Sequence, residues 1–479
     1  MLEFLNKTIG LVNDNLWTYI LIPFLVILGL FFTFKTGFVQ LRYFVEMLKI
    51  TFEKSSIAED GKKKISSFGA FCIGAATRIG TGNIAGVAIA IVLGGPGAVF
   101  WMWVMSIFGA ASAFIESTLA QIYKVKDKEG FKGGPAYYMQ KGLNKRWMGV
   151  LFSILIIFCF GLVFNSVQAN TIAISVESTF GISRAVTGSI LVVLTGIIIF
   201  GGARKIARFS EVVVPVLALF YLGLAGYVMA INVTELPSMF KMIWDSAFGL
   251  HEAVGGTIGA ALTWGIKRGL FANEAGMGSA PNAAATADTS HPVKQGLMQA
   301  FGVLTDTLVI CSASAFIVLL SDAWQNTKLT GIELATASLK QNVGDWAGIF
   351  MTVTIFLFAF SSVIGNYYYG QTNLDFVREN KVLSLVYRLA VLGMVMVGAV
   401  ASLDFVWGLA DLFMALMCLT NLVAITLLSK VAFSALRDYG KQKKEGKEPV
   451  FYAENIPGLT NVECWDSVTT EMKKSEIGA

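Results

Sequence analysis

From residue 16 to residue 429 the chain is a succession of apolar runs, most of them about 18 to 25 residues long, and this patterning limits its fold more than any other feature. A helix rises 1.5 Å per residue, so a run of that length crosses the ~30 Å hydrocarbon layer of a bilayer. Composition agrees: of 479 residues 55% are hydrophobic and 14% charged, and the mean hydropathy is +0.65. Soluble chains carry roughly 25% charged residues, and a soluble core beyond about 250 to 300 residues normally splits into domains joined by polar linkers. No such linker interrupts residues 65–430. Lipid is the expected solvent, and an all-α membrane protein the expected class.

Hydropathy predicts eleven transmembrane helices, near 16–34, 68–95, 98–123, 148–170, 183–201, 209–231, 253–275, 296–320, 347–375, 382–402 and 406–429. An odd number puts the two termini on opposite sides. The loops after spans 1, 3, 5, 7 and 9 and the C-terminal tail hold most of the 37 Lys and Arg residues, among them Lys62, Lys63, Lys64, Lys124, Lys126, Lys128, Arg204, Lys205, Arg378 and Lys381. The opposite face holds only Lys7, Arg184, Lys241, Lys328 and Lys340. Lys and Arg mark the cytoplasmic side, so the N-terminus is expected outside and the C-terminus inside. The net charge of +5 then reads as this asymmetry plus the basic tail (Lys441, Lys443, Lys444, Lys447), not as a nucleic-acid surface. The five cysteines, Cys72, Cys159, Cys311, Cys418 and Cys464, have no metal-ligand spacing and read as small apolar fillers. The first apolar run lacks a basic lead-in and a small-residue cleavage site, so it is not read as a removable signal peptide.

Two spans depart from a plain apolar helix. The second contains GAATRIGTGNIAG at residues 74–86, with Thr77, Arg78, Thr81 and Asn83 near mid-membrane depth; the seventh contains GGTIG at 255–259 and TWGIKRG at 263–269. Each glycine costs a helix about 1 kcal/mol relative to alanine, so these clusters make unwinding cheap. Unwound backbone inside a membrane exposes amides at one half-helix and carbonyls at the other, which suit a carboxylate and a cation. With span 1 set aside, spans 2–6 and 7–11 form two five-helix halves, each opening with its broken helix. An odd number of helices per half inverts the second relative to the first. Close helix packing is the competing use of such glycines. GTGNIA at 80–85 also fits a loose dinucleotide fingerprint, but it lies within an apolar span and lacks an acidic partner downstream.

Other polar groups fall at depth. Ser361 and Ser362 in span 9 suit a hard cation held by hydroxyl and carbonyl oxygens. Gln168, with Asn165, Ser166 and Asn170 beside it, lies toward the outer end of span 4. Glu116, Asp306 and Arg78 are ionisable residues inside spans, a costly placement that signals pairing or function. An Arg78–Glu116 bridge is the expectation, with ion ligation by Asp306 as a further possibility. Residues 279–292 carry Asp288, Ser290 and His291, but with two histidines in the chain and no nucleophile elbow they are read as a small-residue intracellular helix rather than a catalytic set, and no enzyme activity is expected.

Four motifs, GTGNIAGV at 80–87, GGPGAVFW at 94–101, GGPAYYM at 133–139 and RGLFANEAGMGSAP at 268–281, resemble the signatures of the alanine or glycine:cation symporter family, over roughly residues 15–440. The resemblance implies a LeuT-type 5+5 inverted repeat preceded by one extra helix. Residues 1–67 would hold that helix and a cytoplasmic loop, 68–231 and 232–429 the two repeats, and 430–479 a basic cytoplasmic tail. It further implies sodium-coupled import of alanine, glycine or related amino acids across the plasma (inner) membrane, with no cofactor beyond sodium as coupling ion. Carried onto this sequence, the amides of Thr81 and Gly82 would hold the substrate carboxylate with Asn83 beside it, and Gln168, Thr263, Trp264 and Asn366 would wall the pocket. Carbonyls of Ala76 and Ile79 with the hydroxyls of Ser361 and Ser362 would bind sodium. Many relatives have Trp at the position of Asn366 and Glu at that of Gln371, a departure that enlarges and polarises the pocket and admits glutamine. A proton-coupled symporter is the rival reading.

Overall fold

The computed structural model describes residues 2–53, 65–127, 130–201, 203–249, 257–326 and 328–465. Lys62, Lys63, Lys64, Lys128, Gly255 and Gly256 lie outside the described residues. Helices dominate: apart from a two-stranded antiparallel ribbon, β1 (Val125–Asp127) with β2 (Gly130–Lys132), every extended element among the described residues is helical.

The chain begins with α1 (Leu2–Asn15), a π-helical stretch Leu16–Leu21 and α2 (Ile22–Lys35), followed by short α3 (Val39–Arg42) and α4 (Phe44–Thr51). The second span is α5 (Ser67–Arg78), a break, a π-helical turn Gly82–Gly86 and α6 (Val87–Gly94), its two halves bent by 54°. Then come α7 (Gly97–Ile122), the ribbon, α8 (Pro135–Lys141), and α9 (Arg146–Ile156) running through a π-helical stretch Ile157–Phe164 into α10 (Asn165–Phe180). Next are α11 (Arg184–Ile199), α12 (Ala203–Ile231) and, folded back at 104°, α13 (Leu236–Ala247). The segment expected to be the seventh span holds α14 (Ile258–Asn273), with a short α15 (Ala280–Ala284) beyond a break. It is followed by α16 (Pro292–Thr305), a π-helical Asp306–Cys311 and α17 (Ser312–Leu319), then α18 (Gly331–Val343), α19 (Trp346–Val377), α20 (Lys381–Val400) and α21 (Leu403–Lys444).

Among the described residues seven helices are long and apolar enough to cross a membrane, and up to nine if each of the two bent pairs counts as one span; Arg184–Ile199 is apolar but shorter. The count of eleven is therefore not reached on length and composition, because a broken span such as α14 with α15 offers no single uninterrupted run.

Lipid tails give helices no hydrophobic reason to associate, so packing and small residues must do it. The glycines of α14 serve that end: a Cβ on Gly265 would lie 2.8 Å from Trp101 Cβ, and one on Gly269 3.5 Å from Met102 Cα, so α14 lies directly on α7. Gly94 brings α6 equally close to Trp264, whose Cβ would be 2.9 Å away. Lipid-facing residues such as Ile190, Val193 and Ile197 on α11 stay exposed.

After α21 the chain folds back over one end of the bundle. Phe451 and Trp465 are fully buried, the Phe451 amide donates to the Ser290 carbonyl (3.0 Å), and Trp465 Nε1 donates to the Gln121 carbonyl (2.8 Å). His291 caps α16, its Nδ1 accepting from the Val293 amide at 3.2 Å, and burial holds its imidazole below the usual range despite Asp438 at 3.3 Å.

Candidate functional site

The second span breaks where its polar cluster predicts. α5 ends at Arg78, Ile79 turns to extended backbone, and the helix resumes after Thr81. Side chains take the amides that the break releases. Asn83 Oδ1 accepts from the Gly80 amide (3.0 Å), and Gln168 Oε1, reaching over from α10, accepts from the Thr81 amide (3.2 Å). Asn83 spends its own amide nitrogen on Asp306 Oδ1 (2.7 Å) and the Cys311 sulfur (3.3 Å), which ties the break to the π-helical stretch between α16 and α17. Thr81 Oγ1 is buried without a partner among the described residues. Across the break lies α14: a Cβ on Gly82 would meet Phe271 Cδ1 at 2.9 Å and Ala272 Cα at 3.1 Å, so glycine is what lets the two helices touch.

On the other side stands α19. Ser362 Oγ donates to the Ala76 carbonyl at 2.9 Å and Ser361 Oγ reaches the same oxygen at 3.5 Å, while both also bond the Phe358 carbonyl (3.1 and 2.8 Å). Ala76, Ile79, Ser361 and Ser362 are buried, the two hydroxyls at 0% exposure. The last carbonyls of α5 therefore face a pair of hydroxyls in a dry setting, an oxygen-only donor set that suits a hard monovalent cation. Asn366, four residues after Ser362 and on the same side of α19, is 1% exposed, and neither atom of its amide has a partner among the described residues. Gln371 is engaged elsewhere, donating to Asp375 (2.9 Å) and Ser384 (3.1 Å).

The seventh span is broken too, but not where its glycines suggest. Residues 258–273 run as one unbroken helix through Gly259, Thr263, Gly265 and Gly269, and the chain unwinds only at residues 274–279. Of the helix expected at 279–292, only the short α15 (Ala280–Ala284) is helical, followed by a turn. Glu274, Gly276 and Gly278 all take left-handed backbone (φ 57°, 78° and 84°), which glycine adopts at no steric cost and which ends the helix. Thr263 and Trp264 thus sit about three turns before the break, half-buried on α14, and the Trp264 ring lies under the cations of Lys267 (4.8 Å) and Arg268 (5.4 Å). The residues of α14 that do approach the first break are Ala272 and Phe271, whose ring packs at a tilt, 4.6 Å from both Phe164 and Trp407; Asn273 beside them donates to Thr307 (3.0 Å).

The expected Arg78–Glu116 bridge is replaced by two separate arrangements. Arg78 Nη2 donates to Gln299 Oε1 (2.9 Å), leaving Nε and Nη1 without a hydrogen-bond partner among the described residues. Glu116, fully buried on α7, accepts from the Gly276 and Gly278 amides (3.1 Å each) and from Asn421 Nδ2 (2.7 Å). Its carboxyl group caps the unwound segment from within, taking amides that a helix end would otherwise offer to a bound anion. A buried cluster unforeseen in the sequence joins α14 to α21: one Arg268 nitrogen donates to both Asp411 oxygens (2.6 and 2.5 Å), with Lys267 at 3.4 Å and the Trp407 ring 4.5 Å from the guanidinium.

Comparisons with known proteins place this arrangement. Among solved structures, a manganese transporter from Eremococcus coleocola superposes with a TM-score of 0.51 at 14% identity, over 86% of this chain and 91% of that one. MhsT in complex with L-phenylalanine does so with a TM-score of 0.51 at 12% identity, over 80% and 99%. Both are LeuT-fold transporters, and at such identities the likeness concerns the fold alone. In sequence the chain is 56% identical over 465 residues, 97% of each protein, to the probable sodium/glutamine symporter GlnT of Bacillus subtilis. It is 51% identical to the amino-acid carrier protein AlsT of the same organism (98% of this chain, 100% of that one) and 38% identical to the sodium/alanine symporter AgcS of Methanococcus maripaludis (91% and 97%). The family profile matches residues 2–453, and with the broken, LeuT-like core described above it makes this chain a member of the sodium:alanine symporter family.

Proposed function

We propose that the chain is a sodium-coupled symporter that imports small neutral amino acids by alternating access. The observation that carries this reading is the break at residues 79–81, set between the hydroxyls of Ser361 and Ser362 on one side and Gln168 and Asn83 on the other. Carbonyls of Ala76 and Ile79 with the two serines would bind sodium. The Gln168 carboxamide oxygen on the Thr81 amide stands in for one oxygen of a substrate carboxylate; a bound amino acid would take that amide, and the Gly82 amide beside it, and free Gln168 to meet the ammonium or carboxylate. Thr263 and Trp264 belong to the pocket in this proposal only through motion of α14. The topology that goes with it has eleven spans, a 5+5 inverted repeat after one extra helix, the N-terminus outside and the C-terminus cytoplasmic, with repeats at 68–231 and 232–429. Bending at the two breaks lets the spans 2 and 7 bundle rock against its neighbours.

A sodium ion descending a membrane potential releases about 2.3 kcal/mol per 100 mV, enough for at least a tenfold accumulation of substrate. Uptake of labelled alanine into proteoliposomes under an imposed sodium gradient at fixed pH tests the coupling. Accumulation that follows a pH gradient and ignores sodium would favour the proton-coupled reading, which the Asp306 carboxylate on Asn83 supports.

Glutamine is the finer substrate reading. Asn366 presents one unused donor and one unused acceptor, the complement of a carboxamide. Asn366→Leu is expected to weaken glutamine competition against labelled alanine about tenfold or more while sparing alanine, because unmade buried hydrogen bonds cost ~1–3 kcal/mol each. Equal loss for both substrates would remove Asn366 from substrate recognition.

A further inference from the structure

A cavity of about 1070 Å³ opens between the ends of α2 and α21, away from the transport site and beside the helix that precedes the repeated core. Six basic side chains surround it: Lys35, Arg42, Lys430, Arg437, Lys441 and Lys444. Among the described residues the single carboxylate in its wall, Glu445, is already bound to Lys447 at 2.7 Å. Among the described residues none of the six forms an ion pair within 4.0 Å, although elsewhere at this end of the molecule Lys294, Lys443 and Lys141 all do. Concentrated, uncompensated charge of this kind repels itself and is retained where an anion settles it.

The geometry is built rather than diffuse. On α21 the positions 430, 433, 434, 437, 440, 441 and 444 follow the three-and-four spacing of one helical face, so Lys430, Arg437, Lys441 and Lys444 form a stripe lining the cavity. Opposite, left-handed backbone at Gly37 (φ 61°) and Phe38 (φ 57°) reverses the chain after α2 and brings Arg42 back to donate to the Thr36 carbonyl (3.2 Å), with its guanidinium 4.8 Å above the Tyr43 ring. The cavity also has an apolar wall, Phe34 and Phe433; Phe433 meets Phe31 edge-on at 6.3 Å, and the wall continues into the exposed side chains of Phe31, Phe34 and Leu427. One flank is therefore cationic and polar, the other continuous with the surface that faces acyl chains.

We infer that this cavity is a binding site for the phosphate-bearing headgroup of an anionic phospholipid, whose acyl chains lie along the exposed aromatic face of α2 and α21. The space greatly exceeds a single phosphate group, and the apolar wall leading out of it fits a ligand with a hydrocarbon portion. Basic pockets between spans on the cytoplasmic side are suited to such lipids, each cation contributing to the attraction.

Native mass spectrometry of the full-length protein in detergent, titrated with phosphatidylglycerol, cardiolipin or phosphatidylcholine, tests the assignment. The wild type retains the two anionic lipids and not phosphatidylcholine. An Arg42→Gln/Arg437→Gln/Lys441→Gln variant loses that retention by about a hundredfold, whereas Lys126→Gln/Lys145→Gln/Arg146→Gln, which removes the same charge from another loop, keeps it. An Arg42→Lys/Arg437→Lys variant, with charge preserved, keeps most of it and separates loss of binding from loss of folding. Equal retention by the two glutamine triples would overturn the site, and displacement of lipid by millimolar inorganic phosphate would assign it to a soluble anion instead.

Discussion

The two broken helices solve one problem by different means. The break at residues 79–81 uses ordinary right-handed and extended backbone, and neutral side chains, Asn83 and Gln168, take up its amides. The break at residues 274–279 is longer, needs left-handed backbone at three positions, and has its amides held by both oxygens of the buried Glu116 carboxyl group, with Asn421 behind it. A neutral carboxamide on a backbone amide is readily exchanged for a substrate carboxylate; a buried carboxylate receiving three donors is not. On the proposed function, the first break would exchange partners with substrate and the second would keep its shape, which assigns the moving chemistry to the first.

The largest effect expected from this contrast is functional. Asn83→Ala and Ser362→Ala should each abolish sodium-dependent uptake while the protein stays inserted and monodisperse; wild-type transport in both would dissolve the distinction. Glu116→Ala should instead act through stability, leaving two buried backbone amides unpaired at a cost of about 2–5 kcal/mol. Thermal unfolding in detergent measures it, and Glu116→Asp should restore part of the loss. A fully stable Glu116→Ala protein with altered KM alone would move Glu116 into the exchanging set.

Glycine substitutions sharpen the same comparison. Gly278→Ala forces a Cβ into left-handed backbone, at ~1–2 kcal/mol, and toward Phe152 and Pro135 at 2.8 Å, so it should lower the melting temperature. Gly259→Ala, in regular helix with only Thr257 Oγ1 at 3.9 Å, should leave stability unchanged or raise it by about 0.5–1 kcal/mol. The smallest effect concerns His291 in the turn after α15. Burial holds its imidazole below the ordinary value of 6.5 when folded, so this contribution to stability is complete above 6.5 and is lost as the pH falls from there through the lower folded value. His291→Asn, which keeps a capping acceptor, should flatten the acid limb of a melting-temperature profile by about 1 kcal/mol or less.

What the sequence made legible follows the same division. Asn, Thr and Arg at mid-membrane depth marked the first break, because polar groups in lipid must be answered by structure. Glycine alone was ambiguous in span 7: Gly265 and Gly269 serve the contact with α7, while the glycines that unwind the helix, Gly276 and Gly278, stood in a motif noted only for its family resemblance. Pairing at a distance was not legible. Arg78 and Glu116 are the obvious opposite charges, yet each takes an uncharged partner, and Arg268 finds Asp411 143 residues away. Hydropathy cannot register such choices, since they depend on how α7, α14 and α21 meet.

All five cysteines are buried, none more than 2% exposed. Thiol reagents that need solvent therefore meet no exposed cysteine in this conformation, and Cys311, beside Asn83, is the one that opening of the proposed site would uncover. A single cysteine placed along either broken span would report, by its modification from one side of the membrane or the other, when water reaches that depth. A chain altered only at Cys311 can thus serve as the parent for mapping the proposed conformational cycle.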